Sequence, residues 1–231
     1  AARHNAENEW RKKNPELAKT LDGYIAGKLP ELDWDKVVVK PNSATRAASA
    51  AVLSFLAENI GNMIVSSADL ANSDKTDGFL KKTSQIEPGD FNGAFLQSGV
   101  AELTMACIMN GIALHGGMYA ACGTFFVFSD YMKPAIRISA LMEQPVKYIF
   151  THDAFRVGED GPTHEPVEQE AQIRLLEQMN NLSGRPAALV LRPADAAETV
   201  ACYRMAMENT ESPSVMILSR QDIKDIPGDD R

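Results

Sequence analysis

The chain has 231 residues, which is enough for one large domain or for one domain with an appendage. Its 45% hydrophobic and 23% charged residues match the globular average and exclude a disordered or fibrous protein. A formal net charge of −8 repels a phosphate backbone, so we expect no nucleic acid partner.

Neither a membrane span nor a targeting segment is visible in the sequence. No apolar run reaches about 18 residues, and the opening residues carry charges instead of an apolar signal core. Cys107, Cys122 and Cys202 lack C-x-x-C spacing and lie in apolar stretches, which predicts small buried side chains in a reducing compartment. We therefore expect a soluble, cytoplasmic protein without a membrane partner.

The predicted elements follow a charged opening segment, which we interpret as a linker at 1–36 ahead of a regular, apolar domain. Hydrophobic periodicity predicts helices at 44–59, 100–115, 125–142, 167–179 and 194–208. Short apolar runs predict strands at 63–66, 146–150, 187–191 and 215–218. A further apolar run at 118–121 is followed by a predicted break at Gly123-Thr124. Strands alternating with helices indicate a three-layer α/β/α sandwich with a mostly parallel sheet.

Ligands of such folds gather at the carboxyl ends of the strands, where three polar segments fall, at 66–69, 151–153 and 219–220. The loop that follows the strand at 146–150 holds His152, Asp153, Glu159, Asp160 and His164. Imidazole and carboxylate groups can bind a metal, although no short metal signature is present. They can equally bind sugar hydroxyls and transfer protons, or lie in a solvated loop without function.

Glu102 is the only acid in the apolar helix predicted at 100–115. Burial disfavours a charged carboxylate, so Glu102 could donate a proton to a heterocycle, or it could simply stabilise the helix N-terminus. Phe125, Phe128 and Tyr131 recur every three residues, which predicts one face of a helix that serves either as core packing or as a cradle for a flat ring.

Two arginines lie where a phosphate could dock, Arg46 in the first turn of its helix and Arg220 after the last strand. A surface role is the alternative for each of them. The glycine signatures of Rossmann and Walker sites are missing, as is the G-x-S-x-G signature of serine hydrolases.

Longer strings resemble those of transketolases, in order, from about residue 8 to residue 221. They are GEDGPTH at 158–164, MNGIALHGG at 109–117 behind Glu102, TFFVFSDY at 124–131, ATRAAS at 44–49, SADL at 67–70, LRPAD at 191–195 and LSRQ at 218–221. The resemblance covers only the central, pyrimidine-binding domain of that family, here at 37–221. It implies that 222–231 begin a linker to an absent C-terminal domain.

What the resemblance implies is a thiamine diphosphate enzyme of the pentose phosphate pathway that moves a two-carbon ketol unit between sugar phosphates. Glu102 matches the glutamate that hydrogen-bonds the aminopyrimidine and promotes its imino tautomer, which removes the thiazolium proton. The matching cofactor pocket contains Phe125, Phe128, Tyr131, Asp69 and Leu70, with Phe128 stacked on the pyrimidine.

The resemblance also assigns substrate contacts. His152, Asp160 and His164 match residues that contact the donor sugar, and His164 has a catalytic role near the reacting hydroxyl. Arg46, Ser73 and Arg220 match positions that hold the acceptor phosphate, as charge-assisted donors should.

The Gly-Asp-Gly and downstream Asn that bind magnesium in this family are absent from the 231 residues. We therefore expect no metal ligands here, and a missing diphosphate-binding domain, in cis or as a separate subunit, that supplies them. The piece alone should be inactive. We expect a homodimer that associates through the helix at 100–115. The alternatives are a non-catalytic or regulatory module, or another ketol transferase such as dihydroxyacetone synthase or deoxyxylulose phosphate synthase.

Overall fold

The core of the computed structural model, which describes residues 2–154 and 157–228, is a sheet of six parallel strands. The strands are β1 (Met63–Ser67), β2 (Phe95–Gln97), β3 (Tyr119–Phe125), β4 (Lys147–Thr151), β5 (Leu189–Leu191) and β6 (Ser214–Leu218). Their order across the sheet is β2-β1-β3-β4-β6-β5, and every paired neighbour is parallel. The predicted α/β class with a parallel sheet is confirmed.

Helices cover both faces of the sheet. They are α1 (Ala2–Lys13), α2 (Pro15–Ile25), α3 (Thr45–Asn59), α4 (Ala71–Asp74), α5 (Asp77–Leu80), α6 (Glu102–His115), α7 (Ser129–Leu141), α8 (Gln169–Gln178) and α9 (Ala196–Glu208). Short 3-10 turns lie at Trp34–Lys36 and Phe126–Phe128. No helix in the described ranges is long and apolar enough to cross a membrane.

Each face of the sheet has its own apolar core, because successive strand residues point to opposite sides. On one face Cys122 of β3 and Phe150 of β4 pack in a cluster with side chains of α6, α7 and α8. On the other, Ala121 and Ile149 from the same strands pack with side chains of α3, α5 and α9. Two cores separated by one sheet make the predicted three layers.

The opening segment predicted as a linker contains two helices, α1 and α2. Among the side chains of α1 none is buried, so this helix adds nothing to the core. The domain boundaries themselves stay a prediction, and residues 1 and 229–231, assigned to linkers, lie outside the described residues.

Strand β3 corrects one prediction about the sequence at 118–131. The strand continues through Gly123 and Thr124 to Phe125, because it is held between β1 and β4 along its length. Phe125 is therefore a strand residue, Phe128 ends a 3-10 turn, and Tyr131 lies in α7. The three aromatic rings do not share one helix face, as their spacing had suggested.

Helix α6 is apolar along its length, but only one of its faces is buried within this chain. Met105, Ala106 and Met109 face the core, whereas Leu103 and Leu114 are 47% and 59% exposed. Cys107 on the same helix is also exposed, contrary to the expectation for the cysteines, while Cys122 is buried as predicted and Cys202 lies between the two. An apolar sequence predicts a buried helix, but it does not show how much of the helix surface is covered within this chain.

Lys147 begins β4, at the edge of the sheet opposite the carboxyl ends, and is 2% exposed. Its Nζ donates to the carbonyl oxygen of Asn209 at 2.8 Å. Burial lowers the pKa of this amine from 10.5 to about 7. Since the folded pKa is depressed, this group's stabilising contribution is fully present above pH 10.5 and is lost as the pH falls through 7.

We expect the free energy of unfolding of the wild type, relative to Lys147→Met, to rise between pH 7 and pH 10.5. The slope of this difference should approach about 1.4 kcal/mol per pH unit, the value for one bound proton. Urea denaturation at a series of pH values measures it. Lys40→Met, which removes an exposed amine, should show no such slope, and a pH-independent difference for Lys147→Met would contradict the prediction.

Candidate functional site

The carboxyl ends of the central strands bring four loops to one edge of the sheet. β1, β3, β4 and β6 are neighbours there, followed by residues 68–70, 126–128, 152–154 and 219–221. In the sheet β1 lies between β2 and β3. The connection that leaves β1 runs to β2 on one side, and the connection that leaves β3 runs to β4 on the other side. Ligand sites of open α/β sheets form at such a reversal of strand order.

A cavity of about 580 Å³ opens at this reversal. Its lining consists of Ala68, Asp69, Leu70, Val100, Glu102, Phe128, Tyr131 and His164. The loop after β1, the start of α6, and the segment after β3 thus supply its walls. All of the side chains assigned to the cofactor pocket except that of Phe125 line it, and His164 joins them.

Glu102 is the first residue of α6 and is 8% exposed. Its carboxylate has no hydrogen-bond or ion-pair partner among the residues that the structure describes. Its oxygens are not among the fully buried polar atoms that lack a partner, so they face the cavity that Glu102 lines. A heterocycle with hydrogen-bonding groups in this cavity can therefore pair with the carboxylate.

The wall opposite the β1 loop is aromatic. Phe128 lies 6.2 Å from Tyr131, centroid to centroid, with the rings 26° apart. The ring of His164 meets Phe128 edge-on at 5.4 Å. Phe125 lies 6.0 Å from Phe128 and nearly parallel to it, but is buried and does not line the cavity. The exposed faces of Phe128 and Tyr131 are suited to stacking on a flat ring.

His152 follows β4 in a left-handed conformation with φ of 60° and is 2% exposed. Its ring stacks on Phe125 with centroids 3.6 Å apart, and its Nδ1 lies 2.9 Å from the hydroxyl of Thr151. Burial first, and then the charge of Arg46, lower the pKa of His152 to about 3. The imidazole is therefore neutral near pH 7, with one nitrogen donating and the other accepting.

Arg46 and Arg220 form a cationic cluster beside His152. The residues that precede them, Thr45 and Ser219, bring the two arginines together. Thr45 and Ser219 bind each other, the Ser219 amide donating to the Thr45 hydroxyl at 2.7 Å and the Thr45 amide donating to the Ser219 hydroxyl at 2.9 Å. This pair ties the start of α3 to the end of β6. Burial and the charge of Arg220 lower the pKa of Arg46. The Arg46 Nη1 donates to the carbonyl oxygen of Ser73 at 2.7 Å, which brings the third predicted phosphate contact to the same place.

Two acids partly neutralise this cluster. The Arg220 Nη2 donates to Glu159 at 2.6 Å, and its Nε lies 3.3 Å from Asp160 Oδ2. The same Asp160 oxygen lies 3.8 Å from His152 Nε2 and has no hydrogen-bond partner of good geometry among the described residues. Asp160 therefore stands between the imidazole and the guanidinium with capacity for a further donor.

Sequence reasoning missed one buried acid near the site. Asp74 ends α4, is fully buried, and accepts hydrogen bonds from Ser67 and Thr76. Burial raises the pKa of this carboxyl to about 6. The string NSDKTD resembles a solvated turn, and nothing in its local pattern indicates burial.

No cluster of three or more histidine, cysteine or acidic side chains within 2–154 and 157–228 is arranged to hold a metal ion. Arg220 engages Glu159 and Asp160, and the two acids that line the cavity, Asp69 and Glu102, belong to no such cluster. Magnesium prefers several oxygen ligands in octahedral geometry, so the described side chains do not fit it.

Comparison with known proteins identifies relatives of this fold and site. The profile described as "Transketolase, pyrimidine binding domain" matches residues 42–225. The transketolase of Bacillus subtilis (strain 168) is 47% identical over 216 residues, which are 92% of this chain and 31% of the relative. The chain spans about a third of the length of the curated relatives it matches.

Solved structures give the same result. Transketolase from Pichia stipitis in complex with sedoheptulose-7-phosphate superposes with a TM-score of 0.84 at 37% identity, covering 96% of this chain and 33% of that one. A structure described as a split gene transketolase, inactive beta4 tetramer, has a TM-score of 0.63 at 29% identity and covers 82% of this chain and 56% of that one.

Proposed function

Because this chain belongs to the transketolase family through its pyrimidine-binding domain, we propose that it forms the pyrimidine half of a thiamine diphosphate site. The site transfers a two-carbon ketol unit between sugar phosphates. The observation that carries this proposal is the buried, unpartnered carboxylate of Glu102 in a cavity walled by Phe128 and Tyr131. A protonatable group and a stacking surface in one cavity suit an aminopyrimidine.

Glu102 is the proton-transferring residue of this site. Its carboxyl group lines the cavity, where it would hydrogen-bond a ring nitrogen of the pyrimidine and exchange a proton with it. When bound, thiamine diphosphate supplies the nucleophile that accepts the ketol unit. Phe128 stacks on the pyrimidine, Tyr131 and the buried Phe125 support it, and Asp69 and Leu70 close the opposite wall.

The donor sugar lies beside His164, on the side of the cavity next to His152 and Asp160, which approach each other to 3.8 Å. Neutral His152 donates or accepts a hydrogen bond without adding charge. Asp160 binds a neighbouring hydroxyl through its free acceptor capacity. His164 lines the cavity beside Phe128 and therefore lies closest to the reacting hydroxyl.

The acceptor phosphate binds to Arg46, Ser73 and Arg220. Two guanidinium groups and a serine within α4 supply donors that form charge-assisted hydrogen bonds to a phosphate dianion. Arg220 exchanges Glu159 for the phosphate when substrate arrives, since Glu159 is an exposed surface partner. The relative from Pichia stipitis was solved with a sugar phosphate, which supports this class of substrate.

The diphosphate and its magnesium ion bind to a second region, which is joined in cis or is a separate subunit. The split gene relative supports the second arrangement. We place the assembled enzyme in the cytoplasm, in the pentose phosphate pathway.

The titration of the cofactor tests the proposal. The chain alone offers ring stacking of about 0.5–1.5 kcal/mol and one hydrogen bond of about 0.5–1.5 kcal/mol, against an association cost of about 4 kcal/mol or more. We expect calorimetry to find thiamine diphosphate binding no tighter than about millimolar and no transketolase activity. Addition of the diphosphate-binding region of a related transketolase should restore both. Micromolar binding by the chain alone would contradict this division of the site.

The exposed apolar groove between α6 and α7 supports a homodimer. Leu103, Cys107, Leu114, Ile138 and Met142 belong to the lining of a cavity of about 320 Å³ there. Such a patch favours burial against a second copy, next to the cofactor pocket at Glu102. We expect Leu114→Asp to convert a dimer at tens of micromolar into a monomer in sedimentation experiments. Leu182→Asp, at another exposed leucine, should leave the dimer intact, and a monomeric wild type would contradict the proposal.

A further inference from the structure

Asp74 is a buried carboxylate without a charged partner. It accepts three hydrogen bonds in the described structure, and all come from neutral groups: from the Ser67 hydroxyl to Oδ2 at 2.7 Å, and from the Thr76 amide and hydroxyl to Oδ1 at 2.9 and 2.7 Å. Burial of an unpaired carboxylate opposes folding unless its hydrogen bonds compensate. A carboxylate that is kept at a position where its burial is unfavourable suggests a function for that residue.

The first connection of Asp74 leads to the cofactor pocket. The Ser67 hydroxyl that donates to Asp74 also accepts from the amide of Leu70 at 3.1 Å. Leu70 and its neighbour Asp69 line the cavity, and Asp69 is held at φ of 62°, in the left-handed region. Asp74 therefore fastens the loop whose residues Asp69 and Leu70 line the cofactor pocket.

The second connection leads to the cationic cluster. The residue before Asp74 is Ser73, whose carbonyl oxygen accepts the hydrogen bond from Arg46. The amides of Ser73 and Asp74 both donate to the carbonyl oxygen of Leu70, at 2.7 and 2.8 Å. The pocket wall and the anchor of Arg46 thus belong to one small hydrogen-bonded unit, residues 67–76.

This unit fits closely against β3. A Cβ atom on Gly123 would lie 3.2 Å from Asp74 Oδ2 and 2.6 Å from a methyl carbon of Thr76, so only glycine leaves room. Two residues further along the same strand is Phe125, which stacks on His152. The carboxylate is therefore held against β3, the strand that leads into the aromatic wall formed by Phe128 and Tyr131.

We propose that Asp74 is a positioning residue that fixes the cofactor-pocket wall and the phosphate-binding Arg46 relative to each other. This inference rests on the proposed function, because that function makes the two places parts of one reaction. Asp74 contacts neither ligand and acts through Ser67 and through the backbone of Ser73.

The test compares Asp74→Ala with Asp74→Asn in the intact protein. The alanine variant loses the acceptor for Ser67 and Thr76, so the amides of Leu70 and Thr76 should exchange hydrogen at least about tenfold faster. Amides of β4 should keep their wild-type rates. Asparagine keeps one acceptor oxygen for Thr76 and a hydrogen bond to Ser67, so it should restore slow exchange.

The second readout is kinetic and distinguishes positioning from general weakening. In the assembled enzyme Asp74→Ala should raise the KM of cofactor and of phosphorylated acceptor together, whereas Arg46→Ala should raise only the second. Asp77→Ala, which removes a buried acid of α5 that is not bonded to the pocket loop, should raise neither. If Asp74→Ala does not fold, Ser67→Ala breaks the same link from its other end.

Unchanged exchange at Leu70, or a rise in only one of the two KM values, would overturn the inference. Failure of asparagine to restore the wild-type values would overturn it as well. An assembled wild type without transketolase activity would instead refute the proposed function, while the exchange rates would still report on the hydrogen-bonded unit.

Discussion

We expect Glu102→Gln in the assembled enzyme to lower kcat by about 10²–10⁴-fold, the usual contribution of one general acid or base. Glutamine keeps the size of the side chain and can accept a hydrogen bond, but it cannot take up or release a proton. Since Glu102 has no hydrogen-bond or ion-pair partner within the described part of the chain, the substitution breaks no such bond there. The loss should therefore appear in turnover at saturating thiamine diphosphate, with the thermal unfolding midpoint preserved.

A matched control is Glu16→Gln, which changes an exposed glutamate in the first turn of α2. It should retain wild-type turnover. A loss smaller than about tenfold for Glu102→Gln would remove the proton-transfer role and leave Glu102 as a residue that only orients the ring.

The second large effect concerns phosphate recognition. Arg46→Ala and Arg220→Ala should each raise the KM of a phosphorylated acceptor by about 10- to 100-fold, since a hydrogen bond to a charged group contributes about 1.5–3 kcal/mol. The KM of the corresponding sugar without phosphate should hardly change, because neither guanidinium then has its ligand. Steady-state kinetics with the two acceptors side by side measures the difference.

Arg204→Ala serves as the control, because this exposed arginine of α9 pairs with Glu208 of the same helix and with no other residue in 2–154 and 157–228. This variant should have the wild-type KM for both acceptors. If Arg46→Ala raised the KM of the phosphorylated and of the unphosphorylated sugar equally, this side chain would support the fold of the site and would not recognise phosphate.

The layered fold is readable from the sequence because its buried strands are apolar and its helices are long. β4 and β6, near the middle of the sheet, are predicted within one or two residues. β2 escapes prediction because only two of its three residues are apolar, whereas the equally short β5 lies within the longer apolar run at 187–191. α4 and α5, with four residues each, are too short to show a helical periodicity. The aromatic run after Gly123 misleads because a spacing of three residues also arises where a strand, a tight turn and a helix follow one another.

The candidate site is readable in part, because carboxyl ends of parallel strands meet at one edge. That rule brings the loops of Asp69, His152 and Arg220 together before any coordinates are known. Contacts between residues far apart in the chain could not be predicted. The stacking of Phe125 on His152 and the hydrogen bond between Thr45 and Ser219 depend on how helices and strands pack together, which no local sequence pattern encodes. Asp74 shows the same limit, since its burial is completed by Gly123, far along the chain.

Both edges of the sheet are formed by the shortest strands, β2 and β5, with three residues each. An edge of this length presents few free backbone donors and acceptors, so it is a poor template for a strand from another molecule. Aggregation by growth of the sheet is thereby discouraged at both sides. Concentrated preparations of the chain should then associate through helical surfaces and not by amyloid-like strand addition.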